Sequence, residues 1–98
     1  MTKLYKISSK AIEDIDRIWL YTQENWSRTQ ANHYYRLIFQ EIEFISKNFE
    51  CGKDFSEIRK GYRKYNVKSH IIIYRKGDDD LVEIIRILHQ MMDIPNQL

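Results

Sequence analysis

The amino-acid sequence predicts an α+β fold in which a helical hairpin packs on one face of a small, mainly antiparallel sheet. Apolar residues recur every three or four positions in the first half of the chain, as on one face of a helix. After Gly52 they alternate with polar residues or form β-branched runs, which is typical of strands. The predicted element order is β-α-α-β-β-β. With 98 residues, the chain can bury one modest core, so we expect residues 1–98 to form a single domain.

The first half of the chain is expected to form a short strand and two helices. Leu4–Ser8 alternates loosely, and either Ser8 or Ser9 can cap the helix that follows. Ser27-Arg28-Thr29-Gln30 matches a capping box, which predicts a second helix after a short link, as in an antiparallel hairpin. We expect Gly52 to end this second helix in a left-handed conformation. Four aromatic residues are expected to pack in the core or between the helices: Trp19, Trp26, Tyr34 and Phe49.

The second half of the chain predicts three strands. Ile58–Tyr65 alternates, which would place Arg59 and Arg63 on one strand face. Ser69–Arg75 is a β-branched run that predicts a central strand, and Val82–His89 predicts a second buried strand. The segment between these two, residues 76–80, has the composition of a hairpin turn.

The basic residues are distributed unevenly. The net charge of the chain is only +2, which excludes a globally basic nucleic-acid binder. The basic stretch, residues 59–76, nevertheless holds seven basic residues and no acid: Arg59, Lys60, Arg63, Lys64, Lys68, Arg75 and Lys76. The rest of the chain holds 16 − 7 = 9 basic and 14 acidic residues. We interpret the basic stretch as a protein-docking surface, the alternative being a solvated sheet face.

Several classes of protein are not expected from this composition. The single cysteine, Cys51, excludes an intramolecular disulfide and fits a reducing cytoplasm. Asp78-Asp79-Asp80 is interpreted as a solvated turn, so we expect no metal site and no cofactor. The longest apolar run, Ile71–Tyr74, is too short to cross a membrane, and the segment Met1–Lys6 lacks the apolar region of a signal peptide.

Short segments along most of the chain share their order and spacing with a known family. In chain order they are Ala11, Asp14, Ile15, Ile18, Trp19 and Tyr21; Trp26, Gln30, Ala31 and Tyr34; Glu57–Arg63; Ser69 and His70 with Tyr74 and Arg75; and Ile85–His89 followed by Met92 and Asp93. Together they resemble the ParE toxins of bacterial type II toxin–antitoxin modules, within the RelE/ParE superfamily. One departure is Asn48-Phe49, where the family pattern leads us to expect Asn-Pro.

The resemblance implies a RelE/ParE-like fold and a small cytoplasmic toxin that inhibits DNA gyrase by binding. The implied partners are the gyrase A subunit and a ParD-like antitoxin in a heteromeric complex. The antitoxin would supply the operator-binding part, so the toxin would reach operator DNA only through it. We expect a neighbouring gene to encode this antitoxin, with an acidic and amphipathic C-terminal half that folds on binding.

The resemblance and the charge pattern together suggest two sets of binding residues. We expect the target-facing residues to be Arg59, Arg63, Arg75, Arg86, His89, Met91 and Met92. We expect the antitoxin-facing residues to be Trp19, Tyr34, Lys60, Tyr62, Lys64 and Tyr74. We expect both sets to act by binding, and we expect no catalytic residue.

Two alternative functions remain open at this point. In a ribosome-dependent mRNA endonuclease of the RelE type, His89 would serve as general acid or base, with Glu57, Arg59 and Arg63 assisting. RelE-like RNases often place an aromatic hydroxyl close to the C-terminal position of His89, but all seven tyrosines here lie at or before Tyr74. His89 can also be a structural residue at the end of its strand. The other alternative is an interaction module that has lost toxicity.

Overall fold

Residues 4–98, which the computed structural model describes, form a five-stranded sheet with a helical hairpin on one face. The strands are β1 (Tyr5–Ile7), β2 (Lys53–Asp54), β3 (Arg63–Val67), β4 (His70–Lys76) and β5 (Val82–His89). The helices are α1 (Ser9–Asn25), α2 (Arg28–Lys47) and a short C-terminal α3 (Ile94–Gln97), with one 3₁₀ turn at Phe49–Cys51. The sheet order is β1-β5-β4-β3-β2, and only the β1–β5 pair is parallel. The predicted α+β class and the helical hairpin are confirmed.

The hairpin begins as the sequence predicts, with serine caps on both helices. Ser8 is the cap of α1, and its Oγ accepts a hydrogen bond of 3.0 Å from the Ala11 amide. The same Oγ donates to the Ile85 carbonyl at 2.7 Å, so Ser8 also ties α1 to β5. Ser27 caps α2 by accepting from the Gln30 amide at 3.0 Å.

Because Ser8 both caps α1 and holds it to β5, the Ser8→Ala substitution should lower the free energy of unfolding by about 1–2 kcal/mol. Ser9 is the matched control, since it is exposed and is the first residue of the helix proper. Ser9→Ala should change stability by less than about 0.5 kcal/mol. Urea denaturation of both variants measures the difference, and equal losses would contradict the assignment of Ser8 as the cap.

The sheet is apolar on both faces. The hairpin covers one face, where the side chains of Ala11, Ile15, Ile38, Ile42 and Ile45 pack against Val67, Ile72, Tyr74, Val82, Ile84 and Ile87. The other face carries a second cluster of Phe55, Tyr62, Ile73 and Leu88. Ile94 and Leu98 pack against this second cluster, so the C-terminal segment covers part of the outer face. Neither this position of the C-terminal segment nor the short strand β2 was predicted from the sequence.

A β-bulge interrupts the pairing of β4 with β5. Ile73 lies opposite Arg86, whereas the next residue, Tyr74, lies opposite Ile84, so Ile85 is the extra residue of β5. The bulge explains why Ile84 and Ile87 both face the hairpin although they are three residues apart.

Three expectations about local structure are wrong. Ile58–Tyr65 is not one strand: residues 55–62 form a loop closed by a 2.8 Å hydrogen bond from the Phe55 amide to the Tyr62 carbonyl. The alternation there reflects the packing of Ile58 and Tyr62 into the outer cluster, and Arg59 therefore does not share a strand face with Arg63. Gly52 has a φ of −77°, not a left-handed value, and Asn48 ends α2.

The third error concerns Trp26, which is 76% exposed rather than packed between the helices. It is the residue that ends α1, at the short link between the two helices. Residues 1–3, part of the segment in which we expected no signal peptide, lie outside the described residues. Within residues 4–98, none of the helices combines the length and the apolar character needed to span a bilayer.

Candidate binding site at the open end of the sheet

Two histidines lie side by side where β4 begins and β5 ends. His70 and His89 are directly opposite each other in the β4–β5 pair, as their sequence positions suggested, and their ring centroids are 5.3 Å apart. Tyr34 of α2 reaches this pair, with its Oη 2.6 Å from Nδ1 of His70 and 3.1 Å from the Val67 carbonyl oxygen. The pair therefore joins the sheet to the hairpin.

The surroundings of the two imidazoles fix how they can interact with a partner. Burial, with a smaller contribution from His89, lowers the pKa of His70 to about 4, so this ring is neutral at neutral pH. The Met91 amide donates to Nδ1 of His89 at 3.1 Å. A neutral His89 ring with an accepting Nδ1 carries its proton on Nε2, so it presents an N–H donor at that atom.

The lowered pKa of His70 predicts that the protein loses stability as the pH falls. Below its ordinary pKa of 6.5 the unfolded chain binds a proton at His70 that the folded chain rejects until about pH 4. Stability is thus complete above pH 6.5 and decreases towards pH 4. The expected contribution is about 1 kcal/mol between pH 7 and pH 5, because the ring is partly open to solvent, which screens the effect.

Urea denaturation of the wild type and of His70→Gln at several pH values measures this contribution. Since the other charged groups that face the ring, such as His89 and Asp14, are present in both proteins, only the difference between the two curves reports on His70. The stability gap should narrow as the pH falls from 7 to 5. Parallel curves would contradict the prediction.

The two histidines form the shared wall of two cavities, of about 340 and 540 Å³. We call this region the histidine groove and define it by Tyr21, His70 and His89, which line both cavities, with Ile18, Ile87 and Met92 on one side and Trp26, Tyr34 and Leu37 on the other. Arg17 and Lys68 also line it. The smaller cavity is therefore mainly apolar, whereas Thr22, Gln30, His33 and Ser69 give the larger cavity a mixed lining.

Among residues 4–98, Asp14 is the one carboxylate that lines the histidine groove, and it is engaged inside the protein. Asp14 accepts two hydrogen bonds from Arg86, from Nε at 2.8 Å and from Nη2 at 2.9 Å, and a third from the Ile87 amide at 3.0 Å. Both side chains of the pair are buried, and the hydrogen bonding to Asp14 raises the pKa of Arg86. The third contact gives the Ile87 amide a hydrogen-bond acceptor. This amide lies on the edge of β5 that has no neighbouring strand, because β1 ends at Ile7.

This fold and this sequence pattern match one protein family. The family described as "ParE toxin of type II toxin-antitoxin system, parDE" matches residues 5–94. The chain belongs to the ParE toxin family. It is similar to Toxin ParE1 of Caulobacter vibrioides, with 40% identity over 91 residues that make up 93% of each chain. It is also similar to Toxin ParE1 of Mycobacterium tuberculosis, with 34% identity over 98 residues and 100% of both chains.

A solved structure shares the fold of this ParE-family toxin. The structure titled "Chromosomal ParDE TA system from P. aeruginosa" superimposes with a TM-score of 0.76 over 87% of this chain and 92% of that chain. The two sequences are only 17% identical. The expected RelE/ParE-like fold is confirmed, and the family membership makes the chain a toxin of a type II toxin–antitoxin module.

The structure separates the expected target-facing residues of this ParE-family toxin into three groups. Arg59, Arg75 and Met91 are exposed. Arg63 and Arg86 hold the protein together instead: Arg63 donates to the Gly52 carbonyl at 2.7 Å, and Arg86 bonds Asp14 as described above. His89 and Met92 both lie in the histidine groove.

The expected antitoxin-facing residues are also divided. Tyr74 is completely buried, and its Oη accepts from the Gly52 amide at 3.0 Å and donates to the Phe49 carbonyl at 2.8 Å. Tyr62 is buried in the outer cluster. These two tyrosines are therefore core residues and do not face an antitoxin. The other four are partly or fully accessible: Trp19, Tyr34, Lys60 and Lys64.

The groups of the alternative RNase site lie far apart. Arg63 pairs with Tyr74, four residues along β4 from the position of His70 and His89, which is about 13 Å along the strand. Glu57 and Arg59 lie in the loop between β2 and β3, and Arg59 lines a cavity with Tyr62 and Arg86 that His89 does not line. The structure thus does not gather His89, Glu57 and the two arginines around one reacting atom.

Sequence reasoning missed the role of Asp14. The sequence placed it only among the segments that carry the family resemblance, whereas it is the buried partner of a residue 72 positions away. Its position on the apolar stripe of α1, between Ala11 and Ile18, was the one available signal, because a carboxylate on a buried helix face needs a charged partner.

Proposed function

We propose that this ParE-family toxin inhibits DNA gyrase by binding its A subunit, and that the complex traps cleaved DNA. The family membership across residues 5–94 carries the proposal. The site supports it, because the groove at the open end of the sheet combines apolar and aromatic side chains with polar groups and with the basic residues Arg17 and Lys68, a composition suited to binding another protein. Exposed residues that would face the target are Arg59, Arg75 and Met91.

The arrangement of ionisable groups favours binding over catalysis. A general acid–base mechanism needs its groups within hydrogen-bond reach of the same reacting atoms. His89 is instead held by the Met91 amide and lines two cavities whose lining includes neither Glu57 nor Arg59. A ribosome-dependent RNase remains the second candidate that the experiment below must distinguish.

The second part of the proposal is that a ParD-like antitoxin covers this toxin in a heteromeric complex. Several large apolar side chains on the hairpin are exposed: Ile12, Leu20, Tyr21, Trp26, Tyr35 and Phe44. A monomer that leaves so many large apolar groups open is suited to a partner that buries them. We propose that the antitoxin also carries the operator-binding part and that the complex forms in the cytoplasm, where gyrase acts.

The test is a gyrase supercoiling and DNA-cleavage assay with the purified toxin. We expect gyrase to lose its supercoiling activity, and we expect linear DNA to appear once the bound gyrase is removed from the cleaved DNA. Both effects should vanish when the product of the neighbouring antitoxin gene is added. Arg59→Glu should weaken inhibition, whereas Arg36→Glu, on the exposed surface of α2, is the matched control.

An RNA-cleavage assay on programmed ribosomes decides between the candidates. Intact mRNA together with gyrase inhibition supports the proposal. Cleavage of mRNA that His89→Ala abolishes, with supercoiling unaffected, would replace it by the RNase function. If neither activity is present and induction does not slow growth, the chain is an interaction module without toxicity.

A further inference from the structure

The basic stretch keeps most of its charge unpaired in the folded protein. Among residues 4–98, Arg75 is the one member of the stretch that forms an ion pair, with Glu83 at 3.5 Å. Four other members lie over aromatic rings instead: Arg59 over Tyr62, Lys64 over Phe55, and Arg63 and Lys76 over Phe49. An aromatic face attracts and orients a cation without neutralising it, so these charges are held in place but remain available to a ligand.

Strand pairing places two lysines side by side on the outer face of the sheet. Lys53 of β2 lies directly opposite Lys64 of β3, and Lys64 lies opposite Ile73, a member of the outer cluster. Directly opposed residues of antiparallel strands project from the same face, and like charges in such a pair destabilise it. Asp54 does not offset this repulsion from the same side, because it lies opposite Arg63 and therefore projects from the hairpin face. The pair is thus poised to bind an anion.

A third cation completes what we call the outer basic patch, defined by Lys53, Arg59 and Lys64. The Nζ of Lys64 lies 4.5 Å from the centroid of the Phe55 ring, and the Cζ of Arg59 lies 5.8 Å from that of the Tyr62 ring. Both rings belong to the outer cluster and are themselves buried, so the patch presents charge rather than aromatic surface.

The surface around the outer basic patch lacks the apolar groups that a protein partner would bury. In residues 45–90 no large apolar side chain is exposed, whereas several are exposed on the hairpin. Protein interfaces depend on such groups at their centre, but binding to a phosphate backbone needs only cations and hydrogen-bond donors. The other charged residues of the loop 55–62, Glu57 and Lys60, have opposite signs and together leave the charge of the patch unchanged.

We propose that the outer basic patch binds the phosphate backbone of duplex DNA. Lys53, Lys64 and Arg59 donate to phosphate oxygens, and the bound anion relieves the repulsion between the two lysines. Phosphate contacts carry no sequence information, so this binding is independent of sequence and separate from operator recognition by the antitoxin. The inference rests on the proposed function for the source of the DNA, which is the segment that gyrase holds.

The test is the affinity of the purified toxin, without antitoxin or gyrase, for a fluorescent duplex of about 20 base pairs, measured by anisotropy. Lys53→Gln combined with Lys64→Gln should weaken binding at least about tenfold at about 50 mM salt. The slope of log affinity against log salt concentration should fall in magnitude by about 2, because each phosphate contact contributes about 0.9. Two duplexes of unrelated sequence should give the same affinity.

A second double variant controls for the loss of charge. Arg36→Gln combined with Lys47→Gln removes the same charge from exposed positions of α2 and should leave the affinity and the slope close to those of the wild type. Thermal denaturation checks that the lysine double variant is folded. It should be at least as stable as the wild type, because it loses a contact between like charges.

The outcomes separate failure of the inference from failure of the proposed function. The inference is overturned if the wild type does not bind the duplexes, if its affinity follows their sequence, or if both double variants lose affinity equally. It is also overturned if the lysine double variant binds DNA normally but binds the antitoxin more weakly, which would assign the patch to a protein. A toxin that binds DNA through the patch but leaves gyrase active overturns the proposed function alone.

Discussion

Replacing Asp14 by alanine should lower the free energy of unfolding by about 3–5 kcal/mol, the largest effect that we expect from a single polar substitution in this protein. The Asp14 and Arg86 side chains are 5% and 11% exposed, so the substitution would leave a buried guanidinium without its counter-charge. The Ile87 amide would lose its acceptor at the same time. Thermal and urea denaturation of the purified variant measure the loss.

Two further variants show whether the loss comes from the broken pair. Arg17→Ala removes the other arginine near Asp14, but this residue is exposed and should contribute less than about 1 kcal/mol. Asp14→Leu combined with Arg86→Met removes both charges together and should recover much of the stability. If the double variant is as unstable as Asp14→Ala, the unpaired charge is not the cause.

The second large effect is expected at Gly52, for a reason that is steric rather than conformational. A Cβ at this position would overlap the Tyr74 hydroxyl and lie 2.8 Å from the Lys64 carbonyl oxygen. The same hydroxyl accepts a hydrogen bond from the Gly52 amide, so the backbone at Gly52 cannot move away without breaking that bond. Gly52→Ala should therefore destabilise the protein by about 3 kcal/mol or more.

Gly61→Ala is the informative comparison for Gly52→Ala. Gly61 has a φ of +85° with no neighbouring atom within 4 Å of an added Cβ, so its substitution should cost only about 1 kcal/mol of backbone strain. The loss of stability in the double variant Gly52→Ala, Tyr74→Phe should be smaller than the sum of the losses in the two single variants, because Tyr74→Phe removes one of the overlapping atoms. Denaturation midpoints that rank Gly61→Ala as the more harmful substitution would refute the steric account.

How much of this fold can be predicted depends on whether the signal is local. The caps at Ser8 and Ser27 and the bounds of β5 follow from side-chain chemistry or β-branched runs within a few residues, and the sequence predicts them well. The loop of residues 55–62 imitates a strand because its apolar residues pack on the outer sheet face at an alternating spacing. No local pattern distinguishes this loop from a true strand.

The candidate site depends still more on distant contacts. The sequence placed His70 and His89 on neighbouring strands, and it identified Tyr34 and Met92 without relating them to each other. Only the packing of the hairpin on the sheet brings α1, α2 and the end of β5 around one groove. The burial of the Arg86 side chain depends on the β-bulge and on its partner Asp14, which lies far away in the first half of the chain.

The edges of the sheet have a consequence for how this toxin behaves when it is alone. A long, unpaired edge strand invites the edge of another copy to pair with it, which leads to aggregation. Here one edge strand, β2, has two residues, and the other, β1, has three. Where β1 ends, Ser8 and Asp14 take up the Ile85 carbonyl and the Ile87 amide of β5 in place of a neighbouring strand. The ion pair that anchors α1 thus also blocks edge-to-edge growth of the sheet, so we expect variants of Asp14 to self-associate as well as to unfold.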